Sequence, residues 1–266
     1  MLADVLLYLL VGAGVGFMGG LLGIGGGLLI VAALSFTLPG LGIPSTEVMQ
    51  VAVATSPTGI VLTASSSTFA QVRRRALLLP TLIWLAPGLV LGGFVGAHLA
   101  QRMTGPLLRT AIGIFCVVTG WRMAFGKMRA RSEDHVPRSP WLSLAGLGIG
   151  TISSIIGIGG GSLVVPLLVA LGVKPVRAVA TSAACGLVIG LASAASYMVA
   201  LHPPTRPLPT GAVGYVYLPA AAATAVASMT TAQFGVRLAH RLPGAILNQI
   251  FSIFLVAVGA LIMLGG

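Results

Sequence analysis

The sequence predicts an all-α polytopic membrane protein built from two four-unit repeats, and three observations predict it. The 266 residues are 56% hydrophobic and 7% charged, with a mean hydropathy of +1.04. Eight apolar stretches, near 4–38, 46–70, 77–101, 105–125, 140–171, 175–200, 211–236 and 243–264, each approach or exceed the roughly 20 residues a spanning helix needs. A glycine pattern in the first stretch returns 134 residues later in the fifth: Gly14-Val15-Gly16 and Gly23-Ile24-Gly25-Gly26-Gly27 match Gly148-Ile149-Gly150 and Gly157-Ile158-Gly159-Gly160-Gly161.

The first unit has no Lys or Arg before it, is longer than the apolar core of a signal peptide, and has a mid-chain counterpart, so it is expected to be retained. Its glycine run breaks a helix where backbone polar groups cannot be left unpaired. Such a break is buried in protein or lines a wet cavity. Matching breaks in two halves point to a transporter's binding site. Gly12, Gly16 and Gly20, with Gly146 and Gly150, have the small-xxx-small spacing of close helix packing. The second unit carries Ala54-Thr55-Ser56, matched by Ala180-Thr181-Ser182 at a spacing of 126, so the first copy holds eight extra residues, in the Pro39–Pro44 loop. In the third and fourth units Leu79-Pro80, Gly96, Arg102 and Gly120 match Leu218-Pro219, Gly235, Arg241 and Gly259 at a spacing of 139. Lys127, Arg129, Arg131, Glu133, Asp134 and Arg138 mark 126–140 as a solvated cytoplasmic linker between a first repeat, 1–125, and a second, 141–266.

Charge counting orients the repeats. If all eight units cross the membrane, the Lys and Arg residues divide nine to six between the two sides. If units one and five turn back as re-entrant hairpins, one side collects twelve and the other keeps only Arg102, Arg109 and Arg206. The second division is a strong positive-inside bias. It predicts two glycine-broken re-entrant helices, six spanning helices, inverted halves, and both chain ends outside the cytoplasm. The arm from Asp4 to Leu22 is nevertheless long enough to span most of the hydrocarbon layer, which leaves a kinked or deep arm as the alternative.

The helix that starts after a glycine run presents unpaired N–H groups and the positive end of its dipole, an arrangement that binds anions. Ser162 adds a hydroxyl in the second half where the first has Leu28, so the two breaks are chemically unequal. Thr55-Ser56 and Thr181-Ser182 offer hydroxyl donors without fixed charge, or bond to their own helix backbone. Asp4, Glu47, Glu133 and Asp134 are the acidic residues, all at expected ends or loops, so no membrane-embedded carboxylate suits a cation or proton relay.

Other chemistries find little support. The net charge of +11 is confined to short loops and reads as topology rather than nucleic-acid binding. Cys116 and Cys185 lie in apolar segments as small hydrophobes and imply neither disulfide nor metal. Gly14-Val15-Gly16-Phe17-Met18-Gly19 fits the dinucleotide pattern literally, but without the strand and acidic residue that binding requires. His98, His202 and His240 near segment ends, and His135 in the linker, place no base beside a buried nucleophile, so no enzyme activity, catalytic residue or cofactor is expected. Arg109 snorkels to the interface or draws anions to a mouth. Arg73-Arg74-Arg75 is a cytoplasmic anchor that can also meet anionic lipid.

The paired G-x-G-G-G segments, the A-T-S motif on the next helix and the duplication over essentially the whole chain resemble the TauE/SafE family of sulfite and organosulfonate exporters. The resemblance implies a bacterial inner-membrane carrier for small sulfur-containing anions such as sulfite or sulfoacetate. It places the substrate site on Gly25, Gly26, Gly27, Thr55 and Ser56, and on Gly159, Gly160, Gly161, Thr181 and Ser182, beside Ser162. The first copy departs from the second at Leu28 and Ala32, against Ser162 and Pro166. The expected partners are that small anion and membrane lipid, not nucleic acid; a second copy of the chain, as a homodimer, is a further candidate. The alternatives are uptake of a different anion such as thiosulfate, or a non-transporting membrane scaffold.

Overall fold

A computed structural model describes residues 2–22, 26–44, 46–125, 136–201, 204, 208–239 and 244–264. The fold is helical. The first apolar stretch divides at its glycine run into α1 (Leu2–Leu22) and α2 (Gly27–Thr37), which a 3₁₀ turn, Leu38–Leu41, extends. Then come α3 (Val48–Arg73), α4 (Leu79–Arg102) and α5 (Gly105–Phe125). The second half repeats the order: α6 (Trp141–Ile156) and α7 (Gly161–Ala170) flank the second glycine run, followed by α8 (Pro175–Val199), α9 (Leu218–Ala239) and α10 (Gly244–Leu264). The seventh stretch departs from expectation at its start. Residues from 211 do not enter the helix; Ala212–Val213 (β1) and Val216–Tyr217 (β2) pair antiparallel ahead of α9.

Glycines set the helix directions, because each lets a neighbouring backbone approach closely. Gly12 of α1 meets Thr224 and Ala227 of α9, and Gly16 meets Ser228 and Thr231, so α1 runs parallel to α9. Thr55 of α3 meets Tyr217 just before α9 and Gly59 faces Ala221 and Thr224, which makes α3 parallel to α9 as well. Since α1 and α3 point the same way, α2 carries the chain back between them. The second half behaves alike. Gly88, Gly92 and Gly96 of α4 meet Ser143, Leu147 and Thr151 of α6 in ascending order, while Leu78 beside Thr181 and Gly93 beside Ile189 and Ala192 align α4 with α8. Helix α7 therefore also reverses the chain. By contrast Gly113 of α5 meets Gly259 and Gly120 meets Ser252, so α5 and α10 run antiparallel.

The spacing of the expected small-residue contacts was thus correct for Gly12, Gly16, Gly146 and Gly150, the last two packing against the α4 backbone at Leu85 and Leu89. The outer surface is apolar. On α4, Leu85, Leu89, Gly92 and Gly96 are buried, yet Ile83, Leu91, Phe94 and Val95 on the other face are exposed. A helix in water would carry polar residues there; this one suits lipid. Among the described residues, α3, α4 and α8 are long and apolar enough to cross a membrane by length and composition.

Residues 126–135 of the expected linker lie outside the described residues. Its remaining part is not simply solvated: Pro137 is buried and its carbonyl accepts a hydrogen bond from Thr81 Oγ1 at 3.0 Å.

Candidate functional site

Both helix breaks lie near the middle of α3 and α8, against Ile60 of the one and Gly186 and Ile189 of the other. Gly26 caps α2 with φ of +70°, and Gly160 caps α7 with φ of +71°, the left-handed conformation that L side chains adopt only with strain. Gly157 closes α6 with φ of +75°, and the next N–H, from Ile158, donates to Ser153 O at 2.8 Å in the manner of a Schellman stop. These are positions where the chain leaves one helix and starts another without room for a side chain. A Cβ on Gly27 would stand 2.8 Å from the Gly157 carbonyl, so the two breaks touch. Ile60, in the middle of α3, fills the space beside them: such a Cβ would lie 2.6 Å from its Cδ1, and one on Gly159 would lie 2.8 Å from its Cγ2.

Ser56 ties the breaks together. Its Oγ stands 2.9 Å from Gly27 O and 2.8 Å from Gly157 O, and its one proton is shared between carbonyls of the two halves. The Gly157 carbonyl, at the end of α6, thereby gains a partner that the broken helix no longer supplies. Helices α2 and α7 both start here, with Gly26, Gly27, Gly159 and Gly160 buried and Gly161 and Ser162 half-buried. The leading N–H groups of each helix have no acceptor within it, and the positive dipole ends come together in an apolar surrounding that screens little.

The threonines of the paired A-T-S motifs do something else. Thr55 Oγ1 accepts the Tyr217 N–H at 3.1 Å, and Thr181 Oγ1 accepts the Leu78 N–H at 3.1 Å while donating to Arg177 O. Leu78 and Tyr217 are counterparts at the 139-residue spacing, each immediately before a helix of its own half. Each threonine therefore secures the start of a helix in the other half. Ser182 donates to Val179 O within its own helix, unlike Ser56. The structure brings Gly27, Ser56, Gly159 and Gly160 to one place and turns the Thr55 and Thr181 hydroxyls toward helix starts. Gly25 lies outside the described residues.

Two further features were not legible in the motifs. Ser153, on α6 one turn before the break, is 1% exposed, and its Oγ has no hydrogen-bond partner among the described residues. The Ser162 Oγ is likewise buried without a partner. Glu47, expected at an end, does precede α3, but it is 6% exposed rather than solvated. Burial, with the Glu47 charge second, pushes the nearby Tyr215 phenol above its ordinary range. Among the described residues no cluster of His, Cys, Asp and Glu could hold a metal ion. His98, half-buried near the end of α4, has its Nδ1 3.3 Å from Ser196 Oγ.

Comparison with known proteins adds to this geometry. The family described as Sulfite exporter TauE/SafE matches residues 8–262. A Haemophilus influenzae protein is 34% identical over 266 residues, covering 97% of each chain. A Methanocaldococcus jannaschii protein is 28% identical over 265 residues, covering 97% of this chain and 95% of its own. A Bacillus subtilis protein is 27% identical over 206 residues, 70% of this chain and 76% of its own. Each of the three is named "Probable membrane transporter protein". No solved structure matches the chain.

Proposed function

The chain belongs to the TauE/SafE family of sulfite exporters, and from that premise we propose that it is an inner-membrane transporter exporting small sulfur-containing anions. The observation that carries this reading is the contact of the α2 start at Gly27 with the second break at Gly157, three residues before the Gly160 cap of α7 and halfway along α3 and α8. N–H groups and dipole ends favour an anion there. Discontinuous helices at mid-membrane are a recurring device of secondary carriers. The substrate site in this reading comprises Gly25, Gly26, Gly27, Thr55 and Ser56 with Gly159, Gly160, Gly161, Ser162, Thr181 and Ser182. In this reading the helix starts at the breaks approach the substrate, Ser56 clamps the two breaks together through their carbonyls, and the threonines hold the helices that surround it.

The proposed topology is an inverted repeat, 1–125 and 141–266 around a cytoplasmic linker. The antiparallel course of the counterparts α5 and α10 supports it. So do the lengths of α2 and α7, at 11 and 10 residues about 15 Å each, too short for a layer of roughly 30 Å. With α2 and α7 returning the chain, twelve basic residues fall on one side and three on the other, a bias that supports a cytoplasmic first side and both ends outside. An inside-negative potential favours anion efflux by roughly 2.3 kcal/mol per unit charge per 100 mV, so export needs no coupled ion.

The test is flux of radiolabelled sulfite into proteoliposomes under an imposed potential, with sulfoacetate, thiosulfate and chloride as competitors. Saturable, potential-dependent flux blocked by sulfoacetate is the expected result. Preference for thiosulfate would reassign the substrate, and no flux of any of these anions through folded protein would leave the fold standing and remove the substrate assignment.

A further inference from the structure

The two breaks are unequal in a way that selects one of them. Ser153 and Ser162 flank Gly160, the residue that starts α7. A Cβ on Gly160 would lie 3.7 Å from Ser153 Oγ, so that hydroxyl is aimed at the helix start from the α6 side, while Ser162 stands in the first turn of α7 itself. Both hydroxyls are buried and neither has a hydrogen-bond partner among the described residues. The neighbouring Ser154, one position on, is fully engaged: its Oγ bonds Gly93 O at 2.8 Å and Ser193 Oγ at 2.5 Å. An unpaired hydroxyl beside a satisfied one is costly to keep in an apolar interior unless something else completes it. At the 134-residue spacing the counterparts of Ser153 and Ser162 are Gly19 and Leu28, neither of which carries a hydroxyl.

We infer that Ser153 is a specificity-determining residue that, with Ser162 and the first N–H groups of α7, forms a single oxyanion subsite at the second break only. This rests on the anion-transporter reading and deepens it. Three elements supply donors at this break: the Ser153 hydroxyl from α6, the Ser162 hydroxyl from the first turn of α7, and the leading N–H groups of α7. Three sets of donors match a group with three terminal oxygens, as in sulfite or a sulfonate, better than a flat carboxylate or a halide. The ligand contributes acceptors alone, so a deprotonated oxyanion is held and the hydroxyls lose their unpaired state on binding. The first break has Leu28 buried in the corresponding place and no hydroxyl matching Ser153 or Ser162.

The test is calorimetric binding of methanesulfonate, with acetate and chloride as comparators, to the purified full-length protein in nanodiscs, together with thermal melting of the ligand-free protein. Ser153→Ala is expected to weaken methanesulfonate binding about ten- to hundredfold and to reduce its preference over acetate. The same substitution should leave the melting temperature of the empty protein unchanged or higher, since it removes an unpaired buried group rather than a bond. Ser162→Ala should weaken the same ligand independently. Wild-type affinity and selectivity in Ser153→Ala overturn the inference alone, as does a marked loss of stability with binding retained. Failure of the wild-type protein to bind any of the three anions overturns this inference and the anion-transporter reading together.

Discussion

At the scale of single residues, glycine and hydroxyl positions divide into two kinds of work. Gly160 and Gly26 are disfavoured for substitution on conformational grounds, since φ near +70° costs an L residue about 1–2 kcal/mol before any clash. A Cβ at Gly160 would also stand 2.5 Å from Ile189 Cδ1. Gly160→Leu and Gly26→Leu are therefore expected to abolish sulfite flux while the protein still inserts, checked by flux and membrane fractionation on the same preparation; normal flux in both would remove the site assignment. Ile60 offers a stability prediction. Its buried side chain fills the gap beside both breaks, so Ile60→Ala should cost about 2–5 kcal/mol, read as a lowered melting temperature. Gly26, Gly27 and Gly160 were legible from the sequence because clustered glycine inside an apolar run has few explanations. Ser153 was not, because a lone serine in an apolar helix has no motif, and only its unpaired hydroxyl in the folded chain sets it apart. The one clue in the sequence was its pairing with Gly19 across the repeat.

At the scale of helices and their ends, the A-T-S motif takes on a role that spacing alone does not reveal. Duplication marked Thr55 and Thr181 as special, yet a hydroxyl on a helix can face a ligand, its own backbone or a neighbour. The packing of α3 along α9 and of α8 along α4 brings each threonine to the start of the other half's helix. Thr55→Val and Thr181→Val should each leave a buried N–H without its acceptor, at about 1–3 kcal/mol, whereas Thr→Ser at either position should stay near wild type. Thermal melting of the four variants checks this, and equal stability of the Val and Ser forms would contradict it. The same scale explains why the seventh apolar stretch starts late. Gly211 and Gly214 have φ of +96° and +58°, and the Tyr215 N–H bonds Tyr197 O, so this segment turns back onto the end of α8 before α9 can begin.

At the scale of the whole molecule, the exchange of partners between halves governs the architecture. Helix α1 packs on α9 and α6 packs on α4, so neither half encloses its own first helix. The cores reflect this, with residues of both halves in one apolar cluster that runs from Tyr8 and Val31 through Ile156 to Tyr217 and Leu255. Separated halves should then be insoluble or unstable, and co-expression should be needed to recover folded protein. The proposed orientation has its own check: tags at both termini are expected to be reachable by impermeant reagent from outside intact cells. A carboxyl-terminal tag protected until the cells are permeabilised would overturn the re-entrant topology.

The membrane setting, the two-fold repeat and the location of the helix breaks can be read from the linear chain, because hydropathy, periodic duplication and glycine clustering are properties of local composition. Basic residues added a preferred orientation, since their distribution among loops depends only on where the chain turns. What only the tertiary structure decided is which half each element serves. The contact of Gly27 with Gly157, the sharing of the Ser56 proton between both breaks, and the crossed threonine bonds join residues 29 to 162 positions apart. Such pairings depend on helix direction and on which backbones can approach, and a linear pattern carries neither.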